Sequence, residues 1–138
     1  MKKEIKLSYI AGLFDGEGTV TLTRNNKSDK YRAPVVSMSN TSIELLEFLS
    51  SEFGGSIVNQ KVYKEHHKQS WSWRLQRRNC IYFLNSILPY MREKEKIRRA
   101  NLICNEYIKV TPRNGKYSDE IKTAKLEFER TFFHPSAS

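Results

Sequence analysis

The stretch Tyr9-Ile10-Ala11-Gly12-Leu13-Phe14-Asp15-Gly16-Glu17-Gly18 constrains this chain more than any other. Leu7, Ile10, Leu13 and Phe14 fall at helical spacing and predict one apolar face for a core. The opposite face carries Ser8, Ala11, Gly12 and Asp15, which are small residues ending in a carboxylate. Glycine inside a helix costs about 1 kcal/mol against alanine, so something must compensate at Gly12. Close backbone approach by another helix does so. Past Gly16-Glu17-Gly18 the pattern changes to Thr19-Val20-Thr21-Leu22-Thr23, whose alternation predicts a strand. A glycine-flanked carboxylate therefore sits at a helix-to-strand corner. A phosphate loop is excluded because no Gly-Lys-Ser/Thr follows, and a dinucleotide fingerprint because no strand precedes.

The net charge of +9 and a pI near 9.6 favour a polyanionic partner, nucleic acid before an anionic membrane surface. No long basic amphipathic helix and no apolar run of membrane-spanning length supports the second. The N-terminus lacks an apolar signal-peptide core. Cys80 and Cys104 lie in helical patterns and are expected as buried thiols in a reducing compartment, with neither a disulfide framework nor a zinc site indicated. A length of 138 residues suits one domain over 1–138, with a core from about 5 to 110, a last helix at about 118–130 and a tail over 131–138.

Along the chain, strands are expected at about 17–25 and 31–40, around a polar tip at 26–30. Pro34 suggests an edge position or a bulge for the second. A helix over about 42–52 carries Ile43, Leu46 and Leu49 and ends at Gly54-Gly55. Strands at about 56–64 and 69–77 flank the turn Glu65-His66-His67-Lys68, which reads as a solvated tip. Helices follow over about 79–88, stopped by Pro89, over 92–109, and over 118–130 with Ile121, Leu126 and Phe128 as the apolar side.

Strand parity divides the residues into two faces. Val20, Leu22, Val36, Met38, Val58 and Val62 suit a core. That leaves Thr19, Thr21, Thr23 and Asn25, then Tyr31, Ser37 and Ser39, then Asn59, Lys61 and Tyr63, then Ser72, Arg74 and Gln76 outside. This outer set holds hydroxyls, amides and cations and no acid except Glu17, which is the chemistry that reads base edges in a major groove. Lys27, Lys30, Arg32, Lys64, Lys68, Arg77 and Arg78, at tips and strand ends, would hold phosphates and position a duplex.

Ile10 to Gly18 resembles the signature of the LAGLIDADG homing endonucleases, matching it as Ile-Ala-Gly-Leu-Phe-Asp-Gly-Glu-Gly. The resemblance covers the chain from Leu7 to about Lys109 and implies an α+β fold of order αββαββα. In that fold a saddle-shaped antiparallel sheet carries helices on its back. It implies that Glu17 is the catalytic metal ligand, with Gly16 adding its main-chain carbonyl, and that glutamate stands for the name-giving aspartate. It places Asn40 where the family keeps a solvent-positioning amide, though a helix cap explains Asn40 equally well. It places Lys94 where the family keeps an active-site lysine, with Lys96 as the alternative register and a solvated charged run as the plain reading. One motif per chain implies a homodimer whose motif helices meet through Ser8, Ala11, Gly12 and Asp15. Asp15 is aimed at a neighbouring helix, which it can cap or hydrogen-bond.

The function implied is site-specific cleavage of double-stranded DNA at a long pseudo-palindromic target, dependent on Mg2+ with Mn2+ as a substitute, in the service of intron homing. No small-molecule cofactor is expected, and strong salt dependence of binding is. An RNA maturase and a non-cleaving DNA-binding regulator on the same scaffold are the alternatives. The retained Glu17 argues against a pure maturase.

Overall fold

In a computed structural model, described over residues 2–60 and 68–135, the elements run α1 (Lys3–Glu17), β1 (Gly18–Thr23), β2 (Ala33–Asn40), α2 (Ile43–Phe53), β3 (Ser56–Asn59), β4 (Trp71–Gln76) and α3 (Asn79–Ile87). Two further helices follow, α4 (Lys94–Glu106) and α5 (Asp119–Phe133), with short 3-10 turns at Leu88–Tyr90 and Ile108–Val110. The expected αββαββα order is therefore present, extended by two helices.

The strands form an open antiparallel sheet in the order β1-β2-β4-β3. Its helix-facing side meets the core row by row: Gly18, Met38, Trp73 and Ile57 in one row, Val20, Val36 and Leu75 in the next. Ile10 and Phe14 of α1 join them, as do Leu46 and Leu49 of α2 and Phe83, Leu84 and Ile87 of α3. Phe83 is the hub of this core, with its ring 5.3 Å from Phe14, 4.9 Å from Phe53 and 5.2 Å from Trp73. Gly18 is required by this packing, because a Cβ there would lie 2.2 Å from the Phe14 ring. Gly55 has φ +97 and abuts the Arg74 carbonyl, so only glycine fits that corner.

Three expectations about packing are corrected. β2 is a central strand, flanked by β1 and β4. Pro34 is tolerated because it lies one residue beyond the β4 ladder. Its carbonyl accepts from the Arg77 amide at 2.8 Å, so its missing N–H points past the end of β4. The faces of β3 are reversed. Ile57 pairs with the buried Trp73 and Val58 pairs with Ser72, so Val58 stands outside, half exposed, and Asn59 shares the helix-facing parity of Ile57. On α5, Phe128 enters the core as expected, but Leu126 is exposed and Phe132 takes its place.

α5 is bound tightly to the rest. Arg98 of α4 donates to the carbonyls of Thr131 and Phe132 at its C-terminal end, neutralising the negative pole of the helix. Lys125 and Glu129 on its inner face are both buried. Cys80 and Cys104 lie on α3 and α4 as free thiols, the first buried and the second half-buried. Burial pushes their ionisation up to about 12 and about 11. No helix among the described residues is long and apolar enough to cross a membrane.

Candidate active site

The corner carboxylate is the last residue of α1. Glu17 is exposed, and its Oε2 accepts from Asn40 Nδ2 at 2.6 Å. Asn40 ends β2, and its Oδ1 accepts from the Ser42 amide at 2.7 Å. Asn40 therefore lies beside Glu17, and it is not the cap of α2, whose N-cap residue is Ser42. The amide satisfies the entry to α2 with one end and orients Glu17 with the other, which fixes the side-chain flip.

A reciprocal clasp holds this corner against α4. Asp15 accepts from the amides of Arg92 and Glu93 at 2.9 and 3.1 Å, just before α4 begins. Glu93 caps the same helix, accepting from Glu95 and Lys96 at 3.2 and 2.7 Å. In return, Lys96 Nζ donates to the carbonyls of Phe14 and Asp15 at 3.2 and 2.6 Å. Negative groups therefore meet the positive end of α4, and a cation meets the negative end of α1.

The two candidate lysines are placed differently. Lys94 opens α4 and is exposed, whereas Lys96, two residues on, is turned toward α1 and reaches the corner. Asp15, expected to cap or hydrogen-bond a neighbouring helix, does so within its own chain, at the start of α4. Ala11 is fully buried in the core and is not part of an open face. The face of α1 that does stay open carries Ser8, Tyr9, Gly12 and Gly16, with Ile5 more than half exposed. A Cβ at Gly12 or Gly16 would meet nothing within 4 Å.

The side of the sheet away from the helices begins at this corner. Its rows are Ser39, Ser72 and Val58; then Thr19, Ser37, Arg74 and Ser56; then Thr21, Val35 and Gln76; then Thr23 and Ala33. Thr19, Thr21, Thr23, Ser37, Ser39, Ser72, Arg74 and Gln76 therefore stand where parity put them. Val35, by contrast, is an apolar residue in their midst and is almost fully buried. Asn25, Lys27, Lys30 and Arg77 are exposed at the strand ends. Gln60 was missed: it donates to Ser39 at 3.1 Å and accepts from Ser70 at 2.6 Å. Recognising Ile57 as the core residue of β3 would have revealed it, since that parity turns Ser56, Val58 and Gln60 outward. Lys61, Tyr63, Lys64, His66 and His67 lie outside the described residues.

Three expected DNA contacts are engaged elsewhere. Tyr31 stacks on Tyr117, ring centres 4.7 Å apart. Arg32 pairs with Glu129 through its amide at 3.2 Å and its guanidinium at 3.0 Å, and lies over the Phe133 ring. Arg78 donates to the Thr111 carbonyl at 2.9 Å. All three dock the hairpin end or the start of α3 onto the last part of the chain, which no local pattern discloses.

Helix-to-strand corner, sheet order and appended helices together define a class. The chain belongs to the LAGLIDADG family, since the model of the LAGLIDADG-like domain matches residues 4–88. Among its relatives is the intron-encoded DNA endonuclease aI3 of Saccharomyces cerevisiae, 30% identical over 128 residues. That match takes in 86% of this chain and 30% of the yeast protein, so the chain spans under a third of that relative's length. The fold resembles the homing endonuclease I-CvuI in complex with its target (TM-score 0.73, 14% identity, 99% of this chain and 85% of that one). It also resembles the archaeal intron-encoded homing endonuclease I-Vdi141I complexed with DNA (TM-score 0.68, 18% identity, 99% and 87%).

Proposed function

We propose that this chain is a site-specific endonuclease for double-stranded DNA, acting as a homodimer with a divalent cation. The observation that carries the reading is an exposed carboxylate, Glu17, oriented by Asn40 at 2.6 Å, at the margin of a sheet face whose rows hold no acid. The yeast relative is named an intron-encoded DNA endonuclease, and of the two structural neighbours one is described in complex with its target and the other complexed with DNA. An intron-homing role follows from the same likeness.

The donor set fits magnesium, with manganese as a substitute. Glu17 keeps Oε1 outside the Asn40 contact, and the Gly16 carbonyl lies one residue away. Among the described residues no cluster of three or more His, Cys, Asp or Glu offers a complete protein cage. One carboxylate and one carbonyl suit an ion that retains several waters. When bound, the ion supplies an acidified water and neutralises charge on the phosphate.

The residues of the chain do the rest. Asn40 holds the carboxylate in one orientation, and the Asp15–Lys96 clasp fixes the corner to α4. The hydroxyls and amides of the sheet, with Arg74, meet base edges, while Lys27, Lys30 and Arg77 meet phosphates. A double-strand break needs two such corners. The open side of α1, with Ser8, Gly12 and Gly16 exposed, lets a second copy approach closely enough to bring them together.

Incubating the protein with its own intron-lacking DNA junction and magnesium tests this. The wild type should cut both strands, and Glu17→Gln should bind the same duplex without cutting. Binding by both with cleavage by neither would instead establish a DNA-binding regulator.

A further inference from the structure

At the end of the sheet remote from Glu17, a cleft of about 850 Å³ opens between the β1–β2 hairpin, the end of β4 and the loop before α5. Five of its lining residues are cations, Arg32, Arg77, Arg78, Arg113 and Lys125, and one is an acid, Asp29. Asp29 is occupied, accepting from the amides of Asn25 and Asn26 at 3.2 and 3.1 Å. Glu129 neutralises Arg32 at 3.0 Å. Among the described residues no carboxylate is in contact with the other four, which is costly for Lys125 because it is only 1% exposed. Its ammonium donates to Thr111 Oγ1 at 2.6 Å and lies among three tyrosine rings, 4.5 Å from Tyr107, 5.8 Å from Tyr31 and 6.0 Å from Tyr117.

The Tyr31 hydroxyl is buried with no hydrogen-bond partner among the described residues. Asn25, Gln76 and Asn79 add amides to the walls. Excess positive charge, aromatic faces and free amides in a cavity of this size are the chemistry that holds an unstacked base together with its phosphate.

We propose that this cleft, which adjoins the far end of the DNA-facing sheet and shares Thr23, Asn25, Gln76 and Arg77 with it, binds an unpaired, phosphate-bearing nucleotide of a single strand. Its phosphate sits against Arg113 and the Lys125 ammonium. Its base lies along the Tyr31–Tyr117 pair, within reach of the unpartnered hydroxyl. The proposal stands independently of cleavage at Glu17.

The test is binding of short fluorescent oligothymidylate and oligouridylate to the full chain, followed by anisotropy. Arg113 is exposed, so its substitution leaves the fold intact, and Lys116 is an exposed cation of the same loop that does not line the cleft. Arg113→Gln and Tyr117→Leu should each weaken oligonucleotide binding about fivefold or more. Lys116→Gln should change it much less. A Tyr117→Phe variant, keeping the ring, should bind as the wild type does and thereby separate stacking from any loss of fold. Binding of either sugar type supports the site. The proposal is overturned if neither oligonucleotide binds, if Arg113→Gln and Lys116→Gln act equally, or if inorganic phosphate displaces the oligonucleotide as well as a nucleotide does. The last result would leave an anion site with no place for a base.

Discussion

Lys94 and Lys96 sit two residues apart at the start of α4, yet only Lys96 touches the corner that carries Glu17. Their spacing turns the two side chains about 200° apart around a helix axis, so one faces α1 and the other solvent. We expect Lys96→Met to lower stability by about 1–3 kcal/mol, because it removes two charge-assisted hydrogen bonds at the end of α1 and takes from the Asp15 carbonyl the lysine it accepts from, while the Phe14 carbonyl keeps the Gly18 amide. We expect Lys94→Met to stay within about 0.5 kcal/mol. Urea denaturation of both variants checks the pair, and equal effects would refute the assignment. At this scale Glu17 and Asn40 were legible, because a corner acid and a strand-end amide are marked by the elements that flank them. The choice between the two lysines was not. It depends on where α4 begins and how it leans on α1.

Among the elements, α1 leaves one side uncovered by the rest of the described chain. Ile10, Ala11 and Phe14 are buried by the rest of the fold, while Gly12 has open space where a side chain would be. Within a single subunit, Gly12→Ala should therefore stabilise the helix, by up to about 1 kcal/mol. Gly12→Leu should fold as a monomer yet fail to form the proposed dimer. Sedimentation of this variant beside the wild type measures it, and an unchanged dimer would place the contact elsewhere. Helical periodicity found the core side of α1 but assigned Ala11 to the wrong side. A small residue fits both an open face and a tight contact with a neighbouring element. The reversal of β3 has a similar origin. Ile57 and Val58 are equally apolar, and only pairing with Trp73 decides which turns inward.

For the molecule as a whole, the buried ammonium of Lys125 leaves a signature in the pH dependence of folding. Desolvation lowers its ionisation to about 8, against 10.5 in an open chain. Between those values the unfolded chain holds the extra proton, so this group makes stability rise with pH from about 8 upward. The cysteines act in the opposite sense above about 9, since their folded-state values are raised and the unfolded chain loses those protons first. The readout is therefore the difference between the wild type and Lys125→Met in thermal melts from pH 7 to pH 10. The wild type should gain on the variant by about 1–3 kcal/mol across that range. A constant difference would show that Lys125 does not titrate there. A ligand phosphate in the surrounding cleft would hold the charge and flatten the same curve.

What the amino-acid order determined by itself was local: the helix-to-strand corner with its acid, the succession of elements, and the parity of β1, β2 and β4. Each of these depends on periods of a few residues and on glycines or prolines that bear on their immediate neighbours. Only the tertiary structure decided that β2 is central, that Asp15 and Lys96 clasp two helices, and that Tyr31, Arg32 and Arg78 turn to the C-terminal segment. Those contacts join residues 33 to 97 positions apart or the two partners of a stacked pair, and they form through packing and charge neutralisation. No periodicity carries that information, because the groups that satisfy one another meet only after the chain has closed on itself.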